Sequence, residues 1–432
     1  MLHRLGRHAA KGSAAKFLAS TGPTPYGEDA VTDLRCAHDV SRPEPPRLAW
    51  RRLRALCGAL ALLAAGALLG PAHAASRFAV ASNDWNNTAT WSSASCAGAS
   101  GASAPVAGDA VTICTNITVT VTANAAANTV DVIGSSNPGA TTNGITINSG
   151  FTLAVTGAVT TNSPSANNAP LTIDVGAGTL TAASIAIAGT TSGSSRFCTV
   201  TVSTGTITTT GAITISNNTG SIFTSAGTVN VGGDFLATAG GAVTLSAGKV
   251  NFNGSGNQTM GPYTYNNVEL NKSANSVFVA GGTGTTTTVN GTLNVITGTL
   301  NFASSLGTKT FKALVTIDGS WANVTNSALF FEGGLKFNGA GSFSSGTGQY
   351  NFRVNSQEIG GSAAMTFSGT VAINDAITVT NSNTNAAGIT ATGAITGISG
   401  TNWTQAANSY LNVSGAFLTT AEIGRASCRE RV

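Results

Sequence analysis

From Val111 onward one short pattern recurs: apolar and small polar residues alternate for four to six positions, a few Gly, Asn, Ser or Thr intervene, and the alternation resumes. In "ITVTVT", Ile117, Val119 and Val121 fall on one face and Thr118, Thr120 and Thr122 on the other, the period of two that marks a half-buried strand. The same spacing returns in "GITI" (Ile145, Ile147), "LTIDV" (Leu171, Ile173, Val175), "GAITI" (Ile213, Ile215), "GTVNV" (Val229, Val231) and "GTLNV" (Leu293, Val295). Gly at the joints supplies the positive φ of tight corners. After residue 74 no apolar face keeps helical spacing for more than two turns. Strands this short cannot bury an apolar face alone, whereas coils laid one on another bury all of them. The expected fold is all-β, a right-handed parallel β-helix or solenoid of short strands with an N-terminal cap. A row of small antiparallel sandwiches is the competing arrangement. Aromatic residues make up only 6% of the chain, so the coil interior is expected to hold mostly Val, Ile, Leu and Ala.

The formal net charge of +4 is unevenly spread. Ten of the 21 Lys and Arg lie between Arg4 and Arg54 and three more (Arg425, Arg429, Arg431) near the end, which leaves eight from Ser76 to Ala421 against ten acids. Nucleic-acid binding needs clustered cations that displace counterions from phosphates, and this body has no such cluster. No nucleic-acid partner is expected.

The amino end has its own logic. Arg47, Arg51, Arg52 and Arg54 precede an apolar run from Ala55 to Leu69, and Ala72-His73-Ala74 follows as a small-residue cleavage motif. This is the layout of a secretory signal peptide, a short helix over 47–74 cut after Ala74. The run is 15 residues, short of the ~20 that span a bilayer. Residues 1–46 read as a disordered extension or as a start codon placed too early. The expected location is therefore outside the cell or on the outer-membrane surface, with no membrane-spanning segment in the visible part. All four histidines (His3, His8, His38, His73) fall in this leader, so the exported part would lack His-activated nucleophiles and His-based metal sites. At the other end, "EIGRASCRERV" (Glu422 to Val432) reads back through the genetic code into DNA that looks like a sequencing adapter joined to a gene fragment. On that reading the natural frame continues past Thr420, and 422–432 is excluded from the fold.

Two stretches look like copies of one module. "GKVNFNGSGNQTMG" (Gly248 to Gly261) aligns with "GQYNFRVNSQEIGG" (Gly348 to Gly361) after a one-residue gap, matching Asn251 with Asn351, Phe252 with Phe352 and Gln258 with Gln357. Phe252 and Phe352 are expected to be the largest inward side chains of their strands, at equivalent places in the repeat. This G-x-V-x-F-x-G-x-G-x-Q pattern resembles the secreted, adhesin-like β-strand-repeat surface proteins of Gram-negative bacteria. The opening "DWNNTATW" (Asp84, Trp85, Trp91) with "PVAGDAVTI" (Pro105, Asp109, Val111) resembles the module that often starts their exported part. The resemblance spans about 83–420 and implies a parallel β-helix displayed at a surface, without naming a ligand.

An open solenoid end exposes backbone polar groups and the apolar core, so it requires a cap. Trp85 and Trp91 are large enough to plug it, and Asp109 belongs to the same opening module, expected over 75–135 ahead of the repeats at 136–421. Cys96 and Cys114 flank a Gly-rich loop. A bridge between them would close an 18-residue separation, worth about 3 kcal/mol in the loop-entropy model; the alternative is two free thiols. Cys198 would then be a small buried residue.

Parallel β-helices also include polysaccharide lyases and hydrolases, whose sites bring carboxylates together. The ten acids of the body all stand at least ten residues apart, and stacked coils would bring together only pairs such as Asp109 and Asp131, with no Lys or Arg between Arg77 and Arg196 to accompany them. The expectation is a structural or adhesive surface protein without catalysis, cofactor or metal. The alternatives are a polysaccharide-binding or polysaccharide-degrading β-helix enzyme, or the passenger of an autotransporter-like protein. The Thr, Ser and Asn faces are expected to be the solvated exterior, able to hold carbohydrate or another cell-surface component through many weak hydrogen bonds.

Overall fold

The computed structural model describes residues 74–136, 143–189, 196–216, 220–238 and 241–418. The expected leader, nearly all of the signal segment and the arginine-rich tail lie outside the described residues.

What is described is a stack of coils, each contributing strands to three faces in turn. The first face opens with Ser76–Ala79, Ala110–Ile113, Thr129–Ile133, Ala158–Asn162 and Ser184–Ile187, paired in parallel from one coil to the next. The second face is a seven-stranded ladder from Asn83–Asp84 to Ala242–Leu245, and another seven-stranded ladder, Thr264–Tyr265 to Ile395–Gly397, follows it in the coil order. The third face runs through Ala125–Ala127, Thr152–Val155, Thr179–Ala182, Thr206–Thr209, Thr228–Val231 and Lys249–Phe252. Two long strands, Asn267–Val279 and Leu293–Phe302, pass from the third face to the first without a break and fuse those faces into one 24-stranded sheet. A single antiparallel pairing occurs among the described residues, Ser76–Ala79 against Trp91–Ser92. The sandwich alternative needs antiparallel ladders throughout and is excluded. The only helical element described is the 3-10 turn Thr88–Thr90.

Parallel, in-register stacking makes each inward residue part of a column. On the third face Leu153, Leu180, Ile207, Val229, Val250, Val268, Leu293, Val315 and Leu335 follow one another coil by coil, and all are buried. The aliphatic interior expected from composition holds in the early coils, but from Phe223 onward the centre becomes aromatic. Phe311, Phe331 and Phe352 stack at 5.3 and 5.2 Å, and Phe302 meets Trp321 at 4.7 Å. The scarce aromatic residues are therefore concentrated in the later coils.

Phe252 and Phe352 are both fully buried, yet they lie on different faces. Phe252 pairs with Val231 and Leu270 on the third face, Phe352 with Phe331 and Ile373 on the second. The two modules share a local corner, not a place in the coil, because a corner can join any two faces. Phe352 is also not the largest inward group of its strand, since Tyr350 is buried beside it.

Deleting a ring from such a column leaves a cavity between coils that cannot collapse without breaking the backbone ladder. Phe252→Ala is therefore expected to cost about 3 to 5 kcal/mol, read by urea unfolding. Thr259→Ala, on the half-exposed outer side of the strand Gln258–Met260, should stay within about 0.5 kcal/mol. Equal effects at the two positions would contradict the assignment of inside and outside.

Candidate functional site

Two indoles lie near the first strands of the stack. Trp85 and Trp91 are completely buried, their rings meet edge to face at 5.0 Å, and Trp91 Nε1 donates to the Trp85 carbonyl at 2.6 Å. Asp109 is 3% exposed and accepts from the backbone N–H of Ala75 at 3.0 Å and of Val106 at 3.2 Å, with Arg77 Nε 3.7 Å away. Its carboxylate thus ties the start of the first strand to the loop before Ala110–Ile113. Cys96 and Cys114 are disulfide-bonded, which anchors the same loop from its other side. Cys198 is a buried free thiol whose pKa is pushed up to about 11 by burial, so it is no nucleophile at neutral pH.

The acids do not converge. Asp131 pairs across the ladder with Thr112 and Thr160, whereas the Asp109 carbonyl accepts from the Asn128 N–H, so the Asp109–Asp131 juxtaposition anticipated from spacing is not formed. Asp131 accepts from Thr160 and Asn162, Asp174 from Thr201 and the Gly176 N–H, and Asp234 from the Thr259 N–H. Glu269 pairs with Lys249 at 2.9 Å, Glu332 with Arg353 at 3.0 Å and Glu358 with Lys336 at 3.3 Å. Asp84 accepts from the Asn86 N–H and from Thr122 beside a shallow depression of about 530 Å³ at the cap. Each of these carboxylates is engaged with its own or an adjacent coil. Among the described residues no three His, Cys, Asp or Glu gather as a metal site, and no helix is long and apolar enough to cross a membrane.

Two buried glutamines sit at the corners. Gln258, 1% exposed, accepts from the Gly254 N–H at 2.9 Å and donates to the carbonyls of Val231 and Gly233 at 2.7 and 2.6 Å. Gln357 donates to Phe331, Arg353 and Asn355 carbonyls, each at 3.1 Å. Val231 and Phe331 are the ladder partners of Phe252 and Phe352, so both glutamines close the same corner from within. This is the structural content of the shared Phe and Gln.

Sequence reasoning passed over two residues at these corners. Lys272 and Lys309 are each 1% exposed, and neither forms an ion pair with another described residue. Lys272 Nζ donates to Gly254 O at 2.7 Å, Gly256 O at 2.8 Å and Gln258 Oε1 at 2.5 Å. Gly254 and Gly256 stand four and two residues before Gln258, as Arg353 and Asn355 stand before Gln357. An ammonium from the next coil therefore fills in one corner the carbonyl cage that an amide fills in the other. Lys309 Nζ similarly donates to Ser304 O at 2.6 Å and Leu306 O at 2.7 Å. Burial draws both ammonium groups below the usual lysine value, while the carbonyl dipoles supply the compensation that a carboxylate would otherwise give. The signal was present in the parity: Lys272 lies two residues after inward Leu270, and Lys309 two before inward Phe311.

In the early coils two faces carry outward polar columns made mostly of threonine. On the second face Asp84, Thr120, Thr146, Asp174, Thr201, Thr224 and Thr244 stand in one register. On the third face Thr152, Thr179, Thr206 and Thr228 stand in another. No protein-family model, curated protein or solved structure matches the chain.

Two substitutions test the corners. Lys272→Met keeps the stem but leaves the Gly254 and Gly256 carbonyls without a donor, and should lower stability by about 1 to 3 kcal/mol, measured by chemical denaturation. An unchanged midpoint would mean that the cage does not need its ammonium. Val354, β-branched and held at φ +70 in the other corner, should gain about 1 kcal/mol on exchange for Gly, which adopts that conformation freely. A loss of stability in Val354→Gly would show that the side chain matters more than the strain.

Proposed function

We propose that this chain is an exported, adhesin-like surface protein whose solenoid presents sparsely charged, hydroxyl-rich faces to neutral carbohydrate or other cell-surface components, and that it carries out no catalysis. The observation behind this reading is the repetition of outward threonines in register from coil to coil. One Thr hydroxyl binds weakly, but a rigid column of them offers many equivalent contacts to an extended partner, and their effects accumulate when the partner is also extended. The engagement of the carboxylates supports a non-catalytic role: general acid–base chemistry requires a pair of groups held free for substrate, and the ten acids are instead spread along the stack as acceptors for neighbouring coils.

Incubating the full chain with a panel of neutral and acidic polysaccharides should retain it on at least one insoluble neutral polymer, without release of reducing ends or unsaturated products. Turnover lost on replacing a particular Asp or Glu would overturn the proposal in favour of an enzyme.

A further inference from the structure

The third face carries a patch unlike the rest of the exterior. Across the strands Thr152–Val155, Thr179–Ala182, Thr206–Thr209 and Thr228–Val231 the outward residues form two parallel columns, Thr152, Thr179, Thr206, Thr228 and Ala154, Thr181, Thr208, Asn230. The register passes from coil to coil with no bulge, so the side chains make a grid of about 4.8 Å along the stack and about 6.7 Å along the strands. All eight are half-exposed. The hydroxyls of Thr152, Thr179, Thr181, Thr206 and Thr228 have no hydrogen-bond partner among the described residues, and that of Thr208 accepts from Asn230 at 3.1 Å. Threonine is stiff at χ1 on a strand, so free hydroxyls and methyls at these points are held in fixed rows.

The borders of the grid are equally specific. On one side Gly178, Gly205 and Gly227 follow one another, and a Cβ on Gly205 or Gly227 would collide with the carbonyl oxygen of the glycine one coil earlier. On the other side Gly157, Ala183, Gly211 and Gly233 form a hydrogen-bonded column of small residues. No charged residue stands on this face within these four strands; the first is Lys249, one coil further on. The patch therefore has neither a rim to grip a single polymer chain nor a charge to select an ion. Its neutrality complements an uncharged partner, and its unbroken register from coil to coil admits one that is itself periodic.

We infer that this grid is an adsorption surface for ice. The spacing of its rows lies near the oxygen repeats of the ice lattice, and rigid hydroxyls flanked by methyls can hold a layer of water in positions that a growing crystal face continues. Ordered water bridging protein hydroxyls to a partner is nearly as favourable as direct contact. This goes beyond attachment to carbohydrate, and rests on the same display of an uncharged face.

The test is partitioning of the full chain into a slowly grown ice hemisphere, with an ice-excluded protein in the same solution as reference. The unsubstituted chain should be enriched in the ice. Thr206→Lys, which places a charge at the centre of the grid, should reduce that enrichment by about tenfold, equivalent to about 1.4 kcal/mol. Thr206→Tyr keeps strand propensity while interrupting the row of small side chains with a large ring, so it gives the same answer if the lysine variant fails to fold, and it should also be excluded. Thr224→Lys, outward on the second face, should partition as the unsubstituted chain does. Exclusion of the folded, unsubstituted chain from ice would overturn the inference, as would retention of Thr206→Tyr in ice or equal loss in Thr224→Lys. Binding to crystalline cellulose or chitin with exclusion from ice would also overturn it, while leaving the carbohydrate reading in place.

Discussion

Everything in this molecule depends on the parallel hydrogen-bond ladder between successive coils. Each strand is three to six residues long over most of the stack, too short to be stable alone, and gains its stability from one neighbour above and one below. The ladder imposes a fixed vertical spacing on every column of side chains. That one constraint aligns Leu153 to Leu335 inside, Thr120 to Thr244 outside, and the glycines at the bends. Where two backbones turn together the space for a Cβ vanishes, as at Gly205 and Gly227.

A chain that turns so often must also satisfy the backbone groups that the corners take out of the ladder. Turn carbonyls of the later corners face inward, where water does not reach, and the protein answers with side-chain donors from within. Gln258, Gln357, Lys272 and Lys309 are four solutions to that problem. The lysines show that a buried cation need not imply a carboxylate: three carbonyl or amide oxygens around Lys272 Nζ do the same task. The carboxylates are thereby left to the exterior and the cap, where Asp109 ties strand to loop and others bridge adjacent coils. A surface whose carboxylates are engaged by neighbouring coils in this way presents mainly hydroxyls and amides, and the proposed function rests on that neutrality.

Much of this architecture was legible in the linear chain. Alternation with a period of two marked the strands and their buried sides, and it does so because successive side chains on a strand point to opposite faces whatever surrounds them. The same rule would have placed Lys272 and Lys309 inside, had parity been trusted over charge. The shared Phe and Gln of the two modules marked a common corner, but their spacing of about 100 residues did not reveal that the corner joins different pairs of faces. That assignment depends on how many residues each coil spends in its loops, and the coils differ: 29 residues separate Val130 from Val159 in the ladder, and 21 separate Val229 from Val250.

The sequence by itself determined that the chain is β throughout, which residues of each strand are apolar, and that its charge is sparse, because these are local properties read from neighbours one or two positions away. Only the tertiary structure decided which strands share a face, that Asp109 and Asp131 stay apart, that the rings gather in the later coils, and that the threonine-rich strands from Thr152 to Val231 stack in one register. Those are relations between residues some 20 to 30 positions apart, and they are set by loop length and by coil-to-coil register, neither of which leaves a periodic trace in the chain.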